Sequence, residues 1–173
     1  MAKKHTVFLL LGSNIHPRTG YLKDAINIID SSLGVVKSVS SLYESEPWGF
    51  EAPVTFLNQV VCLETSWEPL DILKKTQEIE RQLGRSEKSA GNKYVSRTLD
   101  IDILFFDNLT IRHPELIVPH AQITNRRFAL MPIVEMVPEK KHPVFQKTCR
   151  QLLEDCTDAC KVWKYKGESV HAL

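Results

Sequence analysis

Two aspartates, Asp100 and Asp102, interrupt an otherwise apolar run, "SRTLDIDILFFDN" (residues 96–108), and Arg97 stands just ahead of them. Charges in a core strand are costly unless they have a partner. Strand side chains alternate between faces, so Leu99, Ile101 and Ile103 share one face and the two aspartates share the other, roughly 6.5–7 Å apart along the strand. Two like charges that close repel, and a cation between or above them is the usual remedy. Carboxylate oxygens suit hard ions, and Mg²⁺ typically takes one or two carboxylates together with waters and substrate phosphates. Taken alone, the spacing also fits an edge strand with a solvated polar face.

The neighbourhood favours the metal. Arg85, Lys88, Lys93 and Arg97 line the polar stretch that leads into the aspartates, and His120, Arg126 and Arg127 follow soon after. Guanidinium forks match phosphate oxygens bidentately, and a metal flanked by such groups is the equipment of phosphoryl transfer. That chemistry needs an aligned nucleophile and neutralised charge more than covalent help. No Walker A loop or kinase Gly-rich loop is present, so a nucleotide would bind in some other way.

The elements that must position these groups follow from periodicity. "HTVFLLLGSN" reads as a buried strand, and "TGYLKDAINIIDSSLG" as a helix with Leu22, Ala25, Ile26, Ile29 and Leu33 on its inner stripe. "VVKSVSSLYES" alternates as a strand, and "TFLNQVVCLETS" is another. "EPLDILKKTQEIERQLG" gives a second helix closed by Gly84. After the polar stretch "RSEKSAGNKYVS", "LDIDILFFD" is the fourth strand; a loop of that length between firm elements is more often functional than filler. A third helix is expected from about Asn125 to Val137, and the tail from His142 as a short helix and a final strand, "KVWKYK". The order β-α-β-β-α-β is the ferredoxin-like split βαβ pattern, an α+β fold with an antiparallel sheet and a C-terminal helix/strand extension.

Composition sets the outer bounds. At 173 residues, 43% hydrophobic and 25% charged, the chain reads as one domain spanning residues 1–173 with a sizeable core. A net charge of +1 offers no global field for nucleic acid or anionic membrane, so any anion site must be a local cluster. The four cysteines, Cys62, Cys149, Cys156 and Cys160, meet none of the metal or redox spacings and read as free thiols. The apolar run Val7–Leu11 is too short for a signal peptide or a membrane span, so a reducing, cytoplasmic setting is the default. A monomer is expected, with no nucleic-acid or membrane partner.

"SRTLDIDILFF" closely resembles the signature of the 6-hydroxymethyl-7,8-dihydropterin pyrophosphokinase family. The likeness extends through "LLLGSN", "SLYESEPWG", "TFLNQVV", "QEIERQLGR" and "VPHAQITNRRFAL" in the expected order, over roughly residues 5 to 140. It implies a ferredoxin-like fold and transfer of pyrophosphate from ATP to the pterin's hydroxymethyl oxygen with release of AMP, in folate biosynthesis. Asp100 and Asp102 would bind two Mg²⁺ ions bridging the ATP phosphates. Arg85 and Arg97 would engage the phosphates from a closing loop, with Lys88 and Tyr94 also facing ATP. Gln77 and Glu80, three apart on one helix face, would reach the nucleotide. His120 and Arg126 would contact phosphates, and backbone near Ile103 and Ile117 would hold adenine. Phe56 and Phe128 would sandwich the pterin ring, Asn58 would read its amide edge, and Asp100 and groups around Ser45, Pro47 and Trp48 would complete the pterin site.

The sequence departs from the commonest bacterial pattern at the ATP rim. The loop from Arg85 to Arg97 is about two residues longer than in short-loop members. Glu87 stands where a second loop arginine is expected, Tyr94 where a tryptophan is, Ala121 after "VPH" where an aromatic is common, and Glu115 where an arginine sometimes occurs. Lys88 could supply the missing charge without bidentate geometry. At 173 residues the sequence leaves no room for a fused aldolase or dihydropteroate synthase domain, so a stand-alone enzyme is expected. Two other readings compete. One is a different Mg²⁺-dependent nucleotidyl or phosphodiester enzyme, which leaves Phe56, Asn58 and Phe128 unexplained. The other is a ferredoxin-like RNA-binding module, which the near-neutral charge and the two sheet carboxylates oppose.

Overall fold

The computed structural model describes residues 2–49, 54–84 and 98–167. Elements run β1 (His5–Ser13), α1 (Arg18–Ser32), β2 (Val35–Val39), β3 (Tyr43–Ser45), β4 (Phe56–Thr65), α2 (Pro69–Gln82), β5 (Asp100–Phe106), β6 (Ile111–His113), β7 (Leu116–Val118), α3 (Arg127–Met136), α4 (Cys149–Glu154) and β8 (Val162–Lys164). The main sheet has the order β5-β1-β4-β3-β8, with β2 also on β4, and its paired strands are antiparallel. The ferredoxin-like βαββαβ core is therefore present, with the tail strand β8 added at the β3 edge.

Strand alternation gives the sheet two apolar faces. Val7, Leu9 and Leu11 of β1, Leu57, Val61 and Leu63 of β4, and Ile101 and Ile103 of β5 meet α1 and α2 in one cluster. Phe8, Leu10, Val60, Leu104 and Phe105 meet α3 and α4 in another. Gly34, which follows α1, is required by crowding: a Cβ there would lie 2.1 Å from the Glu64 carbonyl oxygen. Gly84 closes α2 at φ +100°, the left-handed conformation expected of a helix-ending glycine.

Three expectations need correction. "VVKSVSSLYES" is two strands, because β4 passes from β2 to β3 with a one-residue slip: Val39 faces Val61 but Tyr43 faces Asn58. Ser40 sits at that break, buried, exchanging bonds with Val60 through both its backbone N–H and its side chain. The segment after β5 holds a hairpin, β6–β7, closed by the two-residue turn Pro114–Glu115, which apolar periodicity did not reveal. The third helix begins at Arg127 rather than Asn125, after a 3₁₀ turn at Ile123–Asn125. The tail helix and final strand are where they were expected. All four cysteines are free, two of them buried. No helix among the described residues is long and apolar enough to cross a membrane.

Candidate active site

The helices α3 and α4 cover only half of the sheet face they pack on. On β1 the outward positions are Phe8 and Leu10, which are covered, and then Gly12. On β5 they run from Leu104 to Asp102 and Asp100, and on β4 from Val60 to Asn58 and Phe56. The same alternation that builds the second core thus delivers polar and aromatic groups where the cover stops. Register places Leu10 opposite Asp102, and Gly12 opposite both Asp100 and Asn58. Asp100 and Asn58 are therefore two strands apart, roughly 10 Å, with no side chain between them. A Cβ on Gly12 would come 3.6 Å from Asn58 Oδ1 and 4.0 Å from the Phe56 ring. Gly12 is the floor of a shallow slot.

One wall of the slot is held by Asn58, which is buried and donates through Nδ2 to the Tyr43 carbonyl (3.2 Å) and Ser45 Oγ (2.9 Å). With both amide protons so engaged, Oδ1 is the group left to face a ligand. The other side is aromatic and cationic. The Arg126 guanidinium lies 4.9 Å from the Trp48 ring centroid and 5.6 Å from that of Phe128, within cation–π range. Its Nη1 donates to Asp102 Oδ2 at 3.3 Å, while its buried Nε has no hydrogen-bond partner among the described residues. Arg126 so links the aromatic slot to the carboxylate pair.

A β-bulge places the histidine. Phe8 faces Phe105 and Leu9 faces Ile103, leaving Leu104 unmatched in the ladder. The Leu104 carbonyl accepts from the His120 N–H at 3.0 Å. This anchors His120 with Nε2 at 3.8 Å from Asp102 Oδ2. Burial pushes the imidazole pKa down to about 4, helped by Arg126 and opposed by Asp100. Its Nδ1 accepts from the Gln122 N–H, so the neutral ring carries its proton on Nε2, toward the carboxylates.

Beside the aspartates, on the outer flank of β5, lies a cavity of about 280 Å³ lined by Leu73, Ile101, Ile103, Leu116, Ile117 and His120. Its lining mixes these apolar side chains with Asp102, Glu115 and His120, which suits a flat heterocycle joined to a polar group. The hairpin β6–β7 builds one wall. Glu80 is buried on α2, and its Oε1 accepts from the Ile101 N–H at 3.1 Å, fixing the strand between the two aspartates. Gln77 is half-buried on the same helix.

Sequence-predicted residues thus converge: Asp100, Asp102, His120 and Arg126 at one centre, Ile103 and Ile117 at the cavity, and Ser45, Trp48, Asn58 and Phe128 around the slot. The Pro47 carbonyl accepts from Cys160 Sγ at 3.8 Å. Arg85, Lys88, Tyr94 and Arg97 lie outside the described residues, as does Glu87. Gly12, Leu73 and the hairpin are contributions that sequence reasoning missed. The Pro–Glu pair between two short apolar runs was the available signal for the hairpin, whereas Gly12 needed the strand register.

The chemistry of the donor set fits Mg²⁺. Two partly exposed carboxylates stand on one strand face, oxygen ligands of the hard kind that Mg²⁺ takes together with phosphate oxygens and water. Among the described residues no group of three or more His, Cys, Asp or Glu side chains forms a full protein cage. A paired carboxylate site completed by a phosphate substrate needs none. Fold and site together define a ferredoxin-like phosphoryl-group transferase.

Comparison with known proteins makes this specific. Residues 8–138 match the family model 7,8-dihydro-6-hydroxymethylpterin-pyrophosphokinase (HPPK), and the chain belongs to that family. A Porphyromonas gingivalis 2-amino-4-hydroxy-6-hydroxymethyldihydropteridine pyrophosphokinase is 44% identical over 133 residues, covering 76% of this chain and 90% of that protein. The Bacillus subtilis protein of the same name is 36% identical over 175 residues, covering 95% and 96%. A crystal structure of Plasmodium falciparum HPPK-DHPS aligns with a TM-score of 0.73 at 20% identity, which establishes the fold. It covers 89% of this chain, and this chain spans 46% of that longer protein. The relatives are pyrophosphokinases, transferases by class.

Proposed function

We propose that this chain transfers pyrophosphate from ATP to the hydroxymethyl group of 6-hydroxymethyl-7,8-dihydropterin, in folate biosynthesis. The hydroxymethyl oxygen attacks the β-phosphorus, the bond from that phosphorus to the α,β-bridging oxygen breaks, AMP leaves, and the hydroxyl proton is released. The observation that carries the reading is the row Asp100–Gly12–Asn58. It sets a ring-sized slot directly beside a carboxylate pair on the uncovered half of the sheet.

Each group has a task in that arrangement. Asn58 Oδ1 reads donors on the pterin edge, and Phe56 and Phe128 enclose its faces, with Ser45, Pro47 and Trp48 forming the adjoining wall. Asp100 and Asp102 would hold two Mg²⁺ ions, which would supply positive charge to offset that of the triphosphate. Neutral His120 and Arg126 meet phosphate oxygens beside Asp102. The adenine enters the cavity at Ile103 and Ile117, with Gln77 and Glu80 on its helix side. Arg85 and Arg97, with Lys88 and Tyr94, would meet the ATP phosphates. In this reading residues 1–173 act as one domain, as a cytoplasmic monomer.

The test is to combine the protein with Mg²⁺, ATP and the hydroxymethyl pterin and to separate the nucleotides by chromatography. Pterin-dependent AMP is expected. ADP as the nucleotide product, or AMP formed equally without pterin, would rule the assignment out.

A further inference from the structure

We propose that the C-terminal segment 156–165 is a positioning strut for the pterin slot, with Asp158 as its key residue. This rests on the pterin reading above. The family model matches residues 8–138, so the segment follows the part that the model describes.

The segment grips both walls of the slot. On one side, α3 begins at Arg127 without a side-chain cap of its own. Asp158 supplies one from 31 positions away: its Oδ2 accepts from the Arg127 N–H at 3.0 Å, and its backbone carbonyl accepts from Arg127 Nε at 3.2 Å. The Cys156 carbonyl takes Arg127 Nη2 at 3.0 Å. Arg127 stands between Arg126 and Phe128, so these bonds fix where the cation and the aromatic ring enter the slot. The other oxygen of Asp158, Oδ1, accepts from the Cys160 N–H at 3.0 Å and so orients the next turn of chain.

That turn leads to the opposite wall. The Cys160 thiol reaches the Pro47 carbonyl, the Glu46 N–H donates to the Lys161 carbonyl (3.1 Å), and the Lys161 N–H donates to Glu46 Oε2 (3.1 Å). β8 then pairs with β3, with Val162 opposite Ser45, the residue whose hydroxyl holds Asn58. Trp163 Nε1 donates to Glu44 Oε1 at 2.9 Å. Glu44 Oε2 accepts from both Arg18 Nη1 (2.9 Å) and Thr55 Oγ1 (2.8 Å), and Thr55 directly precedes Phe56. One short segment therefore sets the separation between the Ser45–Trp48 and Phe56 side and the Arg126–Phe128 side. None of its residues is placed against the nucleotide cavity.

Asp158→Ala in the full chain removes the cap and the Cys160 bond together. It is expected to raise KM for the pterin about tenfold, equivalent to about 1.4 kcal/mol, while KM for ATP stays within about twofold. Asp158→Asn, which keeps one acceptor oxygen, should recover part of the loss. Trp163→Phe, which loses only the bond to Glu44, should move the same constant in the same direction, and it decides the matter if Asp158→Ala does not fold. An unchanged pterin KM, or equal rises in both KM values, would overturn the proposal. Wild-type protein without pterin-dependent AMP formation would instead remove the functional reading beneath it.

Discussion

Gly12 and the aspartates show two kinds of proposed functional residue. The carboxylates were legible from parity alone, because an Asp-x-Asp on a strand leaves no choice of face. Gly12 was not, since its value is the missing side chain between Asp100 and Asn58, and only register puts it there. A methyl at this position meets Asn58 Oδ1 at ordinary contact distance, so Gly12→Ala should fold normally. It would still raise the slot floor, and a pterin KM increase of about tenfold, read by steady-state kinetics, is expected. Asp102→Ala acts differently. It removes one of the two proposed oxygen ligands and the partner of Arg126 while leaving Leu99, Ile101 and Ile103 in the core. Turnover should fall by about 10²-fold or more, with the circular dichroism spectrum unchanged. A variant that loses its fold would instead mark Asp102 as a structural charge.

At the scale of elements, β5 is held by devices that no periodicity announces. Its bulge at Leu104 frees a carbonyl for the His120 backbone, and Glu80 reaches from α2 to cap the Ile101 N–H. The sequence placed Glu80 on a helix face shared with Gln77, and the four core strands and two helices were all readable from apolar spacing. The short hairpin and the break at Ser40 were not, because three-residue strands carry too few alternations to register a period. Glu80 has a structural duty in addition to its proposed place near the nucleotide. Glu80→Ala should strand a buried donor and destabilise the fold by about 1–3 kcal/mol, read from urea unfolding. Glu80→Gln keeps an acceptor and should lose markedly less. If both variants unfold at the wild-type midpoint, the Ile101 bond contributes nothing to stability.

Over the whole molecule, one sheet carries a helix-covered core on one face and, on the other, a core at one end and the site at the opposite end. The far end of β5 is fastened at Asp107. Its Oδ1 accepts from the Thr6 N–H (2.7 Å), its Oδ2 lies 2.6 Å from His5 Nδ1, and Lys140 Nζ donates to its backbone carbonyl (3.2 Å). The first strand, the fifth strand and the C-terminal region meet there, well removed along β5 from Asp100 and Asp102. Burial pushes the Asp107 carboxyl up, but the bonds from His5 and the Thr6 N–H, with the charges of His5 and Lys3, outweigh it, leaving the pKa below the ordinary carboxylate value. A carboxyl lowered on folding binds fewer protons in the folded than in the unfolded chain near its titration. Its contribution is therefore complete above the unfolded value of about 3.9 and is lost as pH falls through the lower folded value. The stability difference between wild type and Asp107→Asn should accordingly shrink as pH falls below about 4, as measured by urea unfolding at each pH. Because the fastening lies at the end of the sheet away from the site, kcat of the folded Asp107→Asn protein at neutral pH should match wild type. A large fall in kcat with unchanged stability would show that the far end of the sheet is coupled to the carboxylate pair.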